Sequence, residues 1–417
     1  MHSLACVLII KLERCATPAV SAVAMSKVVI VGAGINGVTA AVALKERGHD
    51  VILADAGAIP HPLAASTDIS KAVRSTYGSD EDYTALAEEA TDRWRRWNRN
   101  FGLKLYHETG MMFLRREPMQ PGDFEYESLE VSDRRGHRLS RINESMLGEW
   151  FPAWKDTGYR DGVIEREAGY VESSLVVTTL LNRATDIGVD VRPNTVFSRV
   201  HETGGVVRGV ILTNGELIGA DIVVMATGAW TPYLLPFTKH FFRTTGHAVF
   251  HFKPSDPGPF TPECFPVFGA DISTTGYYGF PVNRDGIVKI ANHGPGREMN
   301  PGSLERVVTK GEEESVRRFV RETFPALAKA PIVFTRICLY CDTHDGHFWI
   351  APDPEREGLV IATGDSGHGF KFAPVLGDII ADAAEGKPNP LLNKFRWRPE
   401  VRSGQEKEGA RYLQEWL

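Results

Sequence analysis

Long apolar runs are missing from this chain. Nothing in it approaches the roughly 18 consecutive apolar residues from which a membrane-spanning helix is read, so no such helix is expected. An excess of basic charge is missing too. Lys and Arg number 47 against 53 Asp and Glu, a formal net charge of -6, which leaves no general positive surface for a phosphate backbone and makes nucleic acid an unexpected partner. Cysteine is scarce: Cys6, Cys15, Cys264, Cys338 and Cys341 are too few and too scattered in 417 residues for a disulfide framework, which favours a reducing compartment. There is no internal repeat and no low-complexity tract. His344, His347 and His368 follow no recognisable ligand spacing, so no metal is expected, and Asp342 and Asp345 read as turn residues.

The apolar run Leu4 to Ile10 imitates a secretory signal, but Lys11, Glu13 and Arg14 follow it at once. Met25 stands directly before the first β-branched run, so residues 1–25 are read as a disordered or mis-assigned extension. The final Glu-Trp-Leu is not the Ser-Lys-Leu peroxisomal address, and cytosol is the expected compartment.

What is present begins at Lys27. A β-branched run, a glycine turn, a helical stretch from Val38 to Arg47 stopped by Gly48, and a second apolar run from Val51 to Ala54 make a βαβ unit. In its turn, Gly32, Gly34 and Gly37, with Ile35 and Asn36 between, let a helix N-terminus and its free N–H groups approach a pyrophosphate. Asp55 closes the second strand, at the distance of an acidic residue that accepts from ribose hydroxyls. The motif alone serves FAD and NAD equally.

The periodicity predicts an amphipathic helix from Tyr83 to Asn98, a strand over Gly110 to Leu114 and a helix over Ser174 to Ile187. Strands are predicted at Val189 to Arg192, Thr195 to Val200 and Val206 to Leu212, and a buried strand at Ala220 to Ala229. Further on come β-rich pieces at Ala248 to Phe252 and Tyr277 to Phe280, a charged helix near Leu304 to Phe324, and strand, glycine turn and helix over Leu359 to Gly386. The expected fold class is α/β, a Rossmann-like FAD-binding domain with a mixed-sheet α+β substrate domain. Residues 26–101, 165–235 and 335–390 would form the first, 102–164 and 236–334 the second, and 391–417 a tail.

Five motifs in order carry a resemblance. They are Gly32 to Gly37; Lys71-Ala-Val-Arg74-Ser-Thr-Tyr77-Gly78; Tyr277-Tyr278-Gly-Phe280-Pro281 followed by Lys289; Cys338-Leu-Tyr340; and Gly364-Asp-Ser-Gly367-His368-Gly369-Phe370-Lys371-Phe372. The chain from Met25 to about Pro399 resembles the glycine oxidase and sarcosine oxidase group of FAD amine oxidases, especially monomeric sarcosine oxidase, pipecolate oxidase and the fructosyl amino acid oxidases. The resemblance implies FAD bonded covalently through Cys338 to the flavin 8α-methyl group, although a plain buried thiol competes for that cysteine. It implies that Lys289 promotes electron transfer to oxygen, where a surface lysine is the bland alternative. It implies that Arg74 and Lys371 bind the substrate carboxylate, a planar guanidinium beside a point charge. Gly367 and Gly369 would offer N–H groups to the flavin pyrimidine ring, and Lys71 stands where sarcosine oxidase has an arginine at the flavin edge. Tyr278 would lie over the substrate or pack in the core. His293 matches the sarcosine oxidase pattern, whereas fructosyl amino acid oxidases usually carry an acidic residue there. The implied activity is oxidation of secondary amines or N-substituted amino acids to imine and hydrogen peroxide, by a monomer whose partners are a small amine and oxygen. A fructosyl amino acid oxidase and an FAD dehydrogenase serving a protein acceptor are the alternatives.

Overall fold

In the computed structural model, residues 25–136 and 139–401 are described. The expectation for residues 1–25 falls, but for Met25, outside the described residues. β1 (Lys27–Val31) is a β-branched run, and alternation sends its side chains to two layers. Val28 and Ile30 pack under α1 (Ile35–Glu46) and its helical neighbours, while Val29 and Val31 face the opposite side. β1 pairs in parallel with β2 (Asp50–Ala54) and with Ile222–Met225. The sheet is completed by Asp190–Arg192 beyond β2 and by Leu359–Thr363 and Trp349–Pro352 on the other flank, and only Trp349–Pro352 runs antiparallel. One face is covered by α1 with Ser173–Asp186 and Ala373–Glu385. The other carries an antiparallel sheet of Phe197–Thr203, Val206–Leu212 and Leu217–Gly219.

A second sheet of nine strands is mixed. Its one parallel contact joins Val267–Ala270 to Met111–Arg115. Its core is aromatic: Trp154 meets the rings of Phe268 and Phe324 edge-on at 4.9 and 4.7 Å. The longest pairing joins Phe242–Phe252 to Ile332–Thr343 and sets Cys338 opposite His247. The boundary expected between residues 334 and 335 thus falls inside a continuous strand. A third, small sheet joins Lys71–Val73 with Gly169–Val171 and Tyr106–His107.

Helix ends moved where caps decide them. The charged helix runs Lys310–Thr323 rather than from Leu304, because Thr309 and Glu312 form a reciprocal capping box. Asp342 is corrected from turn to strand, where it accepts from Thr245 Oγ1 at 2.5 Å. Asp345 does sit in the following turn, and Arg398 donates to both its carboxylate oxygens at 2.6 and 2.8 Å. With Phe395 fully buried and Arg398 buried, the expected tail is packed on the fold as far as Arg398.

Candidate active site and cofactor cleft

The glycine turn between β1 and α1 leaves no room for a side chain at Gly32 or Gly37. Gly32 has φ +99°, and a Cβ there would lie 2.5 Å from the Ala226 carbonyl oxygen; one at Gly37 would lie 1.8 Å from the Gly32 carbonyl oxygen. Two side chains brace the turn from outside. Asp55 Oδ2 accepts from the Ala33 N–H at 2.8 Å, and Ser66 Oγ accepts from the Ile35 N–H at 2.9 Å. The N-terminus of α1 therefore opens on a cavity of about 500 Å³ lined by Gly34, Ile35 and Asn36. α1 has no acidic residue in its first turn, which suits a negatively charged ligand. Gly32, Asp55, Lys71, Cys338, Gly367 and Gly369 line the same cavity, so the structure brings together nearly all the residues expected to hold a flavin nucleotide. Gly37 packs behind it. The residues present fit FAD: a glycine cradle at a helix N-terminus, with a cavity of about 500 Å³ beyond it.

A second cavity of about 70 Å³ adjoins the first, and Lys71, Tyr278, Tyr340, Gly367 and Phe370 line both. Arg74, Lys371 and His293 line the smaller one with Met111, Phe113, Ile272 and Phe280. Arg74 is buried. Its guanidinium donates to the Thr76 carbonyl and lies over the Tyr77 ring at 4.5 Å. Lys371 Nζ donates to Tyr77 Oη at 2.8 Å and to the His368 carbonyl at 2.7 Å. Tyr77 thus joins the two cations, and Trp94 Nε1 anchors the Lys371 backbone by a 2.7 Å bond to its carbonyl. His293, just past the strand Val288–Asn292, shares a 3.3 Å hydrogen bond between its Nδ1 and Tyr340 Oη. Burial pushes the Tyr278 phenol up to about 12, against the opposing charge of Lys71.

Lys289 is 1% exposed, and it lines neither cavity. Its Nζ donates to Asp68 Oδ2 at 2.7 Å and to the Ser70 carbonyl at 2.6 Å, and lies 4.6 Å from the Phe280 ring centroid. Lys71 Nζ donates to the same Asp68 oxygen at 3.0 Å and lies 3.9 Å from Cys338 Sγ. Burial depresses the Lys289 ammonium to about 8 although Asp68 opposes it. Burial also disfavours charge on Asp68, yet Lys289 and Lys71 hold it well below the usual carboxylate range. In turn Lys71 is raised, the pull of Asp68 overcoming desolvation.

Sequence reading missed Asp68, Ser66 and Asp365. The first two sit in a loop without a motif, and their partners lie up to 221 residues away. Asp365 falls inside a quoted motif and accepts from Asn36 Nδ2 at 2.9 Å, linking the last glycine turn to the first; burial pushes it up to about 6. Among the described residues no group of three or more His, Cys, Asp or Glu is placed to hold a metal ion, and no helix is long and apolar enough to cross a membrane.

Comparison with known proteins agrees with this geometry. Residues 27–383 match the model of the DAO family, FAD dependent oxidoreductases. The N-methyl-L-tryptophan oxidase of Yersinia pestis (strain Pestoides F) is 26% identical over 372 residues, covering 87% of this chain and 96% of that protein. Among solved structures, the fructosamine oxidase of Aspergillus fumigatus (Amadoriase II) superposes with TM-score 0.77 at 26% identity, covering 90% of each chain. The fructosyl peptide oxidase of E. terrenum superposes with TM-score 0.79 at 19% identity, over 92% of this chain and 96% of that one, a likeness of fold. With a glycine cradle at the end of β1, a mixed second sheet over the cleft, and a match along most of its length, this chain belongs to the DAO family and is an FAD-dependent oxidoreductase.

Proposed function

We propose that the protein oxidises small N-substituted amino acids with a free carboxylate, of the sarcosine or pipecolate kind, and releases hydrogen peroxide. The observation that carries this is the pair of adjoining cavities with a common wall. The large one suits FAD, and the small one sets two cations against apolar and aromatic surfaces. Bound there, FAD would take a hydride from the carbon next to the amine and pass the electron pair to oxygen, yielding imine and hydrogen peroxide. Arg74 and Lys371 bind the carboxylate, with Tyr77 keeping them apart and oriented. Tyr278, Phe280 and Phe370 exclude water, and Tyr278, Tyr340 and His293 supply polar groups around the amine. The neutral amine is the reacting form and needs no strong general base. Cys338, on the wall of the large cavity, is the residue that would tether the flavin.

The small cavity measures about 70 Å³, which suits an amine of few heavy atoms. His293, where fructosyl amino acid oxidases carry an acidic residue, supports the same reading. The test is peroxide release from purified holoenzyme. Sarcosine, N-methylalanine and pipecolate should give stoichiometric peroxide, and fructosyl amino acids little. Turnover fastest on fructosyl amino acids overturns the substrate assignment, and substrate-dependent flavin bleaching without peroxide in air points to a dehydrogenase. For attachment, yellow colour should stay with the acid-precipitated wild-type pellet and leave the Cys338→Ala pellet; release from both removes that role from Cys338.

A further inference from the structure

The buried charges beside the cleft form a unit whose carboxylate, Asp68, has no part in the proposed reaction. Asp68 has a side chain 1% exposed, and two ammonium groups converge on one of its oxygens: Lys289 Nζ at 2.7 Å and Lys71 Nζ at 3.0 Å. Its other oxygen accepts from the Ile69 N–H at 2.7 Å, and its backbone carbonyl accepts from Ser173 Oγ and Ser174 Oγ at 2.7 and 2.9 Å. The carboxylate is thus held from three sides. Lys71 lines both cavities, whereas Lys289 lines neither. We infer that Asp68 is a positioning residue: one buried carboxylate holds two lysines, so that Lys71 is presented to the junction of the cavities while Lys289 is held behind it.

The inference rests on the reading that FAD occupies the larger cavity. Two ammonium groups this close repel, and without a shared counter-charge one must lose its proton. With Asp68 present, Lys71 has a raised pKa and keeps its proton, and Lys289, at about 8, is the first to yield. The other titratable groups around the unit are His251, whose Nε2 lies 3.8 Å from the second Asp68 oxygen, Arg336, and, facing Lys71, Cys338 and Tyr278. Lys71 thus remains a cation on the wall through the range in which Lys289 changes state.

The experiment uses the FAD-loaded protein and reads binding instead of turnover. Acetate, which stays ionised throughout, is titrated against the flavin visible spectrum from pH 6 to 10. For the wild type, affinity should weaken in one step near pH 8, by up to about tenfold, as Lys289 loses its charge. In Asp68→Asn the step should move acidward by at least one pH unit, because the counter-charge that holds the Lys289 proton is gone. Lys289→Met should remove the step altogether, leaving the affinity flat and equal to the wild-type alkaline limit. An Asp68→Asn profile that superimposes on the wild type overturns the inference. Where that variant does not fold, Lys289→Met decides alone, and a step near pH 8 that survives in it overturns the proposal. A wild-type protein that takes up no flavin on reconstitution refutes the cofactor reading instead, a separate outcome.

Discussion

Replacing Gly37 by alanine places the sharpest demand on the cofactor cleft. The added Cβ would lie 1.8 Å from the Gly32 carbonyl oxygen and 3.4 Å from Ala226 Cβ. Contact between carbon and oxygen needs a little over 3 Å, so α1 must retreat from the turn by roughly 1.3 Å, or the turn must distort. Overpacking of this kind costs about 1–3 kcal/mol of stability. Binding should suffer more, because the same shift carries the N-terminal N–H groups of α1 away from the cavity. A hundredfold loss of FAD affinity, about 2.7 kcal/mol, is expected. The assay is FAD titration of apoprotein by quenching of flavin fluorescence, in a Cys338→Ala background so that the cofactor exchanges freely. Gly311→Ala is the control: it lies in the first turn of Lys310–Thr323 with nothing within 4 Å of the added carbon, and FAD affinity should not change. If Gly37→Ala binds FAD within threefold of its parent and melts at the same temperature, the backbone contact does not govern the cradle and the reasoning fails.

Arg398→Ala strands the Asp345 carboxylate, which burial disfavours and Arg398 holds below its usual pKa; the loss should be about 3–5 kcal/mol, read as a lower denaturant midpoint. Arg74→Ala and Lys371→Met should each raise KM for an N-methyl amino acid by about tenfold to a hundredfold, with a smaller effect on amines lacking a carboxylate, measured by steady-state peroxide release. Burial pushes Glu385 up, but hydrogen bonds from Lys387, His49 and Arg47 bring it down to about 2 from its ordinary 4.5. Its contribution is therefore complete above 4.5 and lost as pH falls toward 2, and Glu385→Gln should flatten acid melting in that window. Asp365 runs the opposite way: raised by burial to about 6 from 3.8, it favours the apo fold below 3.8, and that advantage is lost as pH rises through 6. Asp365→Asn should remove this dependence from apoprotein melts between pH 4 and 7.

How far the site could be read depended on whether its parts are local. The glycine cradle and Asp55 are one βαβ unit, where spacing along the chain is spacing in space. The clustering of Arg74 with Lys371 and of Lys71 with Cys338 came from resemblance, since each pair is separated by more than 200 residues and no periodicity links them. Lys289 shows where local reading stops. A lysine in a strand is ordinarily a surface residue, and its burial depends on Asp68, which sits in a loop 221 residues earlier in the chain. The start of the helix Lys310–Thr323 was missed by six residues because charge composition outweighed the Thr309 and Glu312 cap, a signal that was on the page.

By itself the sequence determined the parts whose physics is short-ranged: the strand, turn and helix at residues 27–54, the alternating run that buries β1 on both faces, and the absence of any apolar stretch long enough to span a bilayer. Tertiary structure alone decided what depends on distant partners. It ran the strand Ile332–Thr343 into the second sheet, packed the final segment on Asp345 through Arg398, and set two lysines on the carboxylate of Asp68. A buried charge is tolerable only beside its counter-charge, and which residues become neighbours in the interior is settled by how the sheets stack, a property no local stretch of chain encodes.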